Sequence, residues 1–197
     1  HGGILVFNSN NGKFSTIQLE DNNSMISSNY IASLCEDYLG RMWVTTDKGL
    51  DIVDLYNEAI QQKFLSSDRQ FTNVSFASGQ MSFDSNYLYI PFSEGGLFSY
   101  HLLTGEIKHW QIPDSAVKRI SYVFPDNNKL LAAVSRGFSV FVQRGAGLVL
   151  QSYQAPYSGL LKQIPGDVVW VYKKDERSIF FKKTNGNMYH YNGTEQP

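Results

Sequence analysis

Short runs of alternating apolar and polar residues recur along the chain, and each run follows a glycine. The successive glycines are spaced by 46, 47, 41 and 49 residues. Alternation with a period of two is typical of a β-strand that buries one face. We therefore predict five equivalent strands, which follow Gly3, Gly49, Gly96, Gly137 and Gly186.

The segment around Gly49 contains three predicted strands in a row, at residues 30–35, 41–46 and 50–54. They are rich in apolar, aromatic and β-branched residues, and the turns between them contain Asp and Gly. Residues 120–138 and 169–187 align with this unit without a gap. Residues 80–97 align with one residue fewer in the first turn and one more in the second. The alignment places Tyr89, Leu131 and Phe180 at the position of Trp43.

A fourth short strand is predicted after each glycine-led strand that has enough sequence behind it, at residues 13–19, 60–65, 106–112 and 148–153. A repeat of about 40–50 residues that contains four short strands indicates a blade of a β-propeller. We therefore predict an all-β fold, a β-propeller built of four-stranded antiparallel blades.

The repeats divide residues 1–197 into one propeller fragment. It contains a half blade at 1–20, blades at 29–65, 73–112 and 118–153, and an incomplete blade at 167–192. Polar or Pro- and Gly-containing crossings connect them at 21–28, 66–73, 113–117 and 154–166. A closed four-bladed ring is the alternative, but the leftover strands overfill its last blade by one. We therefore expect about four blades of a larger, seven-bladed ring.

Composition and charge exclude several classes of protein. With 42% hydrophobic residues, 12 Tyr and 13 Phe, the chain has ample material for a core of sheets. The net charge is −1 and no basic stripe is present, which argues against nucleic acid as a partner. The single cysteine, Cys35, permits no internal disulfide and is expected to pack as a small hydrophobe. No apolar run reaches the length of about 18–20 residues that spans a membrane.

Residues 29–54, NYIASLCEDYLGRMWVTTDKGLDIVD, resemble the repeat of two-component-regulator propellers. The resemblance implies the periplasmic region of an inner-membrane hybrid histidine kinase of Bacteroidetes, which responds to carbohydrate. It implies no enzymatic activity in this region. The implied partners are an oligosaccharide or other small polar ligand, the remaining propeller and sensor modules of the same protein, and a second copy in a homodimer. The matching positions are Asn29, Ile31, Leu34, Glu36, Asp37, Gly40, Met42, Trp43, Val44, Thr46, Gly49 and Leu50.

The other blades depart from this pattern. The second keeps Asp84, Tyr89 and Gly96 with Leu97. The third has Phe124 and Pro125, and the last has Lys173 and Lys174, where the repeat has Glu and Asp.

Two features of the repeat suggest chemistry, and both have a structural interpretation. Glu36 and Asp37 are a possible catalytic carboxylate pair, but adjacent strand residues point to opposite faces. We expect them instead to accept backbone N–H groups and fix the turn. Trp43 is a possible sugar-stacking residue, yet Leu131 occupies its position in another blade. A position that accepts leucine is expected to be a packing position.

No residues are predicted to be catalytic or to bind a metal, and no cofactor is predicted. His1, His101, His109 and His190 form no metal-binding motif, and neither a G-x-S-x-G motif nor a phosphate-binding glycine loop is present. A catalytic triad that uses His101 or His109 remains open at this point. So do two other functions, a propeller lyase or glycoside hydrolase and a protein-interaction scaffold.

The turns after each second strand and the crossings between blades are expected to emerge on one face of a propeller. This face contains charged residues of both signs, together with Tyr30 and Phe71. Such a surface can hold a polar ligand by ring stacking and bidentate hydrogen bonds. The predicted ligand-binding residues are Asp47, Arg69, Phe71, Glu94 and Arg136.

Overall fold

The computed structural model of the chain describes residues 2–20, 23–24, 26–54, 59–65, 79–92, 96–111, 119–127, 129–135, 137–144, 147–150, 167–175 and 177–192. Across these ranges the regular secondary structure consists of β-strands without a helix. The chain divides into two compact units, His1–Ala77 and Ser78–Pro197. Each unit is built from small antiparallel sheets.

The first unit contains eight of the described strands. They are β1 (Ile4–Asn8), β2 (Lys13–Ile17), β3 (Leu19–Glu20), β4 (Asn23–Ser24), β5 (Ile31–Glu36), β6 (Met42–Thr46), β7 (Gly49–Asp54) and β8 (Ala59–Leu65). Strands β5 to β8 form a four-stranded meander, in which each strand pairs with the next along the chain. Strands β1 and β2 form a hairpin, and β3 pairs with β4.

The second unit contains three meander sheets. Their strands are β9 (Ser82–Phe83), β10 (Tyr87–Phe92), β11 (Gly96–His101), β12 (Ile107–Gln111), β13 (Ile120–Asp126), β14 (Lys129–Val134), β15 (Gly137–Arg144), β16 (Gly147–Leu150), β17 (Val168–Asp175), β18 (Ser178–Lys183) and β19 (Met188–Tyr191). Strands β9 to β12 form one sheet, β13 to β16 the next, and β17 to β19 the last. Strand order follows chain order throughout, as four-stranded antiparallel blades require.

The three sheets of the second unit pack face to face, and β14 shows why. Leu130, Ala132 and Val134 join a buried cluster with Leu97 and Trp110 of the preceding sheet. Leu131 and Ala133, which alternate with them, join a second cluster with residues of β17 and β18. Because both faces of β14 are covered, its sequence reads as a continuous apolar run instead of an alternating one.

The core of the first unit includes a residue that the sequence placed in a polar crossing. Ile26 is fully buried and packs with Val44 and Val53. The crossing at residues 21–28 therefore contributes to the core as well as connecting two sheets. The strands β3 and β4 also begin within or next to this stretch, and the alternation pattern did not predict them.

The register corrects one detail of the repeat alignment. Cys35 pairs with Trp43, whereas Phe124 pairs with Leu131, one residue closer along the chain. The first turn of the third blade is therefore one residue shorter than that of the parent unit, and the ungapped alignment of residues 120–138 was wrong there.

Glycine is favoured at or just before the start of the third strands for more than one structural reason. Gly3, Gly137 and Gly186 adopt positive φ angles of 95°, 134° and 86°. These values lie in a region that favours glycine. A Cβ atom at Gly96 would instead overlap the ring of Phe92, which packs directly against the backbone.

Candidate ligand-binding edge

In three of the described sheets, the turn after the second strand lies next to the residues that precede the first strand. In the second unit, Thr184 N donates to Asp167 O at 3.3 Å and Ser135 N donates to Arg119 O at 3.0 Å. These bonds join a second turn to the residue that precedes the first strand. We call this end the loop edge. It comprises residues 27–30 and 47–48 in the first unit and residues 119, 135, 167 and 184–187 in the second.

Asp47 and Tyr30 both lie at the loop edge of the first unit. Thr46 pairs with Ile31 across β5 and β6, so the turn that contains Asp47 adjoins the residue before Ile31, which is Tyr30. The Tyr30 side chain is 65% exposed, and Asp47 and Lys48 are exposed as well. This edge therefore offers an exposed aromatic ring, a carboxylate and an ammonium group, which are suited to a polar ligand that has an apolar face.

A hydrogen-bond network fixes the backbone under this edge. Thr46 Oγ1 accepts bonds from Lys48 N at 3.1 Å and Gly49 N at 3.0 Å, which shape the turn. Ser27 Oγ lies 2.8 Å from Thr46 Oγ1 and donates to Asp51 Oδ2 at 2.7 Å. Ser27 N donates to the same oxygen at 2.8 Å. The crossing, the turn and β7 are therefore tied together below Asp47.

Asp51 supports this edge from inside the protein. Asp51 is fully buried. Burial raises the pKa of the Asp51 carboxyl, and the two hydrogen bonds from Ser27 offset only part of that effect. Among the described residues, its second oxygen, Oδ1, has no hydrogen-bond partner. Asp51 is therefore a buried structural acid, separate from the exposed surface that a ligand can reach.

Of the five predicted ligand-binding residues, the structure describes one. Asp47 is on an exposed turn at the loop edge, as expected. Arg69, Phe71, Glu94 and Arg136 lie outside the described residues. The convergence of these five residues therefore stays a prediction.

The loop edge of the last sheet contains a cleft that the sequence patterns did not predict. Its volume is about 330 Å³, and it is lined by Gln80, Val169, Trp170, Lys182 and Met188. Trp170 pairs with Lys182, and Lys182 pairs with Met188, so three strands contribute neighbouring side chains. Gln80 precedes Trp170 by 90 positions, and this long-range proximity leaves no local sequence signal. The one signal in the sequence was the alternation of the aromatic residues Trp170 and Tyr172 along β17.

Two features of the repeat were predicted to have a structural role, the acidic residues of the first turn and Trp43 in the second strand. Asp37 accepts bonds from Leu39 N at 2.9 Å and Arg41 N at 3.1 Å, which confirms that it fixes the first turn. Its neighbour Glu36 is exposed and accepts no such bond from the described residues, so the same expectation was wrong for Glu36. Trp43 is fully buried, which confirms a packing position.

Three of the four histidines have identifiable structural contacts, and His1 lies outside the described residues. His101 Nδ1 accepts bonds from Leu103 N and Thr104 N. Burial lowers the pKa of His109, whose ring packs against those of Phe92 and Phe98. Ser178 Oγ lies 2.7 Å from His190 Nε2, a contact that the sequence gave no reason to expect. Within the described ranges, three or more His, Cys, Asp or Glu side chains do not gather into a possible metal site. The same ranges provide no helix long and apolar enough to cross a membrane.

Comparison with known proteins gives a short sequence match and a long structural one. Residues 25–48 match the model of the family described as two component regulator propeller. The resemblance of this stretch to that repeat is thereby confirmed. A sequence search of curated proteins finds no match.

The structural match covers nearly the whole chain. The extracellular domain assigned to the hybrid two-component system BT3049 of B. thetaiotaomicron superposes with a TM-score of 0.72 at 15% identity, over 97% of this chain and 24% of that one. The corresponding domain of BT4673 from the same organism gives 0.68 at 18% identity, over 96% and 24%. The computationally designed protein Ika4 gives 0.57 at 12% identity, over 86% and 95%.

These likenesses confirm the predicted β-propeller class. The chain spans about a quarter of the length of the two B. thetaiotaomicron domains. Because the same fold also occurs in a designed protein, the fold alone does not assign a function. Outside residues 25–48, where the repeat matches, these likenesses establish the fold of the chain.

Proposed function

We propose that the chain is a ligand-sensing segment of a periplasmic sensor. The premise is that residues 25–48 form a two-component-regulator propeller repeat. The sensor belongs to a hybrid two-component regulator, recognises a carbohydrate and controls a downstream histidine kinase. The segment itself binds without catalysis. The family match and the extracellular two-component domains support the class of protein.

The observation that carries the ligand proposal is the position of two exposed residues, Tyr30 and Asp47, next to the paired residues Ile31 and Thr46 at the loop edge of the first unit. Sugars present C–H groups on one face of the ring and hydroxyl groups around it. The exposed ring of Tyr30 offers a surface for the former, and the Asp47 carboxylate accepts hydrogen bonds from the latter. The Ser27–Asp51 network holds both residues on a fixed base, which lowers the entropy cost of binding.

The proposed protein partners are the remaining propeller and sensor modules, with a homodimer as the signalling state. The register places Trp170, Tyr172 and Phe180 where Tyr122, Phe124 and Leu131 lie in the preceding sheet. The latter three are packed against β17 to β19. Tyr172 is 42% exposed. We therefore expect a further sheet of the same protein to cover the part of this face around Tyr172 and Phe180.

The test is calorimetry of the whole protein against a panel of neutral and acidic oligosaccharides, together with autophosphorylation of the kinase. Tyr30→Ala is expected to weaken binding of the active glycan about tenfold, and Asp47→Asn about fivefold. Glu36→Gln changes an exposed carboxylate at the opposite end of β5, and it is expected to leave affinity unchanged.

Two results would contradict the proposal. One is heat of binding from a ligand other than carbohydrate, with none from the glycan panel. The other is glycan binding that leaves kinase autophosphorylation unchanged. Turnover of a glycan by the protein would instead favour the glycoside hydrolase or lyase alternative.

A further inference from the structure

The cleft at the loop edge of the last sheet differs in chemistry from the aromatic surface next to it, around Tyr172 and Phe180. It brings an indole ring, an ammonium group and a carboxamide together, from Trp170, Lys182 and Gln80. Its volume of about 330 Å³ is at the small end of ligand pockets, which measure about 300–1,000 Å³. This size suits one or two sugar rings better than a long polymer.

The position of Lys182 indicates that this end of the face stays open to solvent. In the preceding sheet the equivalent residue, which pairs with Tyr122 as Lys182 pairs with Trp170, is Ala133. Ala133 is fully buried in the contact between the sheets. An ammonium group in that place would have to lose its hydration, which is unfavourable without an ionic partner. The replacement of a small apolar residue by lysine therefore argues against complete coverage by another sheet.

The aromatic wall of the cleft is held in place by its neighbours. The Trp170 ring stacks with Tyr172 at a centroid distance of 6.0 Å and an interplanar angle of 11°. It also contacts the ring of Tyr122 at 6.2 Å. Because these contacts fix the indole before a ligand arrives, little side-chain entropy is lost on binding.

The charge around the cleft favours an anion. Residues 167–192 include five basic and three acidic residues, in a chain whose total charge is −1. Lys173 is paired with Asp126 at 2.6 Å, and Lys183 Nζ lies 4.8 Å from the ring centroid of Tyr189. The ion pairs formed between described residues do not involve Lys182. Its ammonium group is thus the charge that the cleft presents to a ligand.

We propose that this cleft binds a sugar that carries a carboxylate or a sulfate group. The sugar ring packs on Trp170, the anionic group pairs with Lys182, and a hydroxyl group bonds to the amide of Gln80. The inference rests on the proposed glycan-sensing function and adds the class of glycan and a second binding location, in the second unit.

The experiment is calorimetry of the whole protein with four disaccharides. They are digalacturonate, its neutral methyl ester, a sulfated disaccharide and the unsulfated parent. The first and third distinguish the two sources of negative charge. Lys182→Gln is expected to weaken binding of the charged members about tenfold and to leave the neutral members unchanged. Lys183→Gln, which removes the adjacent lysine outside the cleft, is the matched control and is expected to change affinity less than about twofold.

Trp170 provides a second readout. Trp170→Ala is expected to weaken charged and neutral members alike, while Trp170→Phe retains most of the affinity and guards against a folding defect. Trp43 and Trp110 are almost completely buried, so iodide is not expected to quench their fluorescence. The part of the fluorescence quenching that disappears in Trp170→Phe therefore reports on Trp170. The ligand is expected to protect it from quenching.

Three outcomes would overturn the inference. In the first, Lys182→Gln leaves the affinity for the charged disaccharides unchanged. In the second, it weakens charged and neutral members equally. In the third, Trp170 is already inaccessible to iodide without ligand, which means that another sheet covers the cleft. If glycans then still bind through Tyr30 and Asp47, the proposed function stands. If charged disaccharides bind through Lys182 but the kinase does not respond, the proposed sensing function is contradicted and the proposed binding site is supported.

Discussion

The indole Nε1 of Trp43 donates a 2.8 Å hydrogen bond to Oδ2 of Asp37. Both residues are buried, and Asp37 also pairs with the guanidinium of Arg41 at 2.7 Å. The second sheet repeats the arrangement with other residues, since Tyr89 OH donates to Asp84 Oδ2 at 2.9 Å. In both sheets an aspartate at the first turn therefore accepts a bond from the aromatic residue in the middle of the second strand.

Replacement of Asp37 by alanine is expected to destabilise the protein by about 3 kcal/mol. The substitution removes the acceptor of two backbone N–H groups and leaves the Trp43 indole and the Arg41 guanidinium without their carboxylate. Urea unfolding, followed by tryptophan fluorescence, measures the loss. Glu36→Ala removes the adjacent exposed carboxylate and is expected to cost less than about 0.5 kcal/mol. Equal losses in the two variants would show that the bond network is not responsible.

The Tyr89–Asp84 bond offers a smaller and cleaner measurement. Burial, and then the neighbouring Asp84 carboxylate, raise the pKa of the Tyr89 phenol, so it remains a donor at all ordinary pH values. Tyr89→Phe is expected to cost about 1–2 kcal/mol, because the ring stays in place and only the bond is lost. A double-mutant cycle with Asp84→Ala, which leaves no side-chain partner for the hydroxyl, isolates the pairwise contribution. A coupling energy near zero would contradict the assignment.

The sequence predicted the strands because the alternation with period two and the glycine spacing are local signals. It also predicted that Trp43 packs inside, since Leu131 at the equivalent position admits no polar role. The bond from Trp43 to Asp37 was not predicted, although the two residues lie close in sequence. Leucine in one blade and tryptophan in another suggested packing alone, because leucine has no counterpart of the indole N–H group.

The candidate site was less accessible to prediction. Asp47 was identified because turns after second strands can be located from the repeat. The cleft at Trp170 was missed because Gln80, Trp170, Lys182 and Met188 become neighbours only through sheet stacking and cross-strand pairing. The replacement of Ala133 by Lys182 was visible in the aligned repeats. Its meaning required the observation that Ala133 is buried between two sheets.

The ion pair between Lys173 and Asp126 connects the last two sheets, and its removal in two ways is expected to give opposite results. The side chains are 5% and 15% exposed, so each charge depends on the other. Asp126→Asn is expected to cost about 3 kcal/mol in the free energy of unfolding, because the Lys173 ammonium is left buried. The double variant Asp126→Asn with Lys173→Met removes both charges and is expected to recover most of that loss. Lys174→Met, on the exposed neighbour, serves as the control, and failure of the double variant to recover would contradict this account.

Asp51 is expected to make the protein less stable as the pH rises. Burial raises its pKa above the ordinary 3.8 in the folded state, so the folded protein binds this proton more tightly than the unfolded chain does. The resulting stability is fully present below pH 3.8 and is lost as the pH rises through the folded pKa. Asp37 acts in the opposite direction. Burial alone would raise its pKa, but the bonds from Trp43, Arg41 and Leu39 lower it, so its stabilisation disappears as the pH falls below 3.8.

Comparison of the protein with Asp51→Asn separates the two effects, because Asp37 is common to both. Asparagine retains an oxygen for the two bonds from Ser27 but does not titrate. The free energy of unfolding of the variant, minus that of the parent, is therefore expected to increase as the pH rises above about 4. Urea titrations at several pH values measure this difference directly. Ser27→Ala gives a second test. The loss of the bonding hydroxyl raises the folded pKa of Asp51 further, so the loss of stability with pH is expected to extend to higher pH in this variant. A difference that is flat or falls with pH would show that Asp51 is ionised in the folded protein without cost.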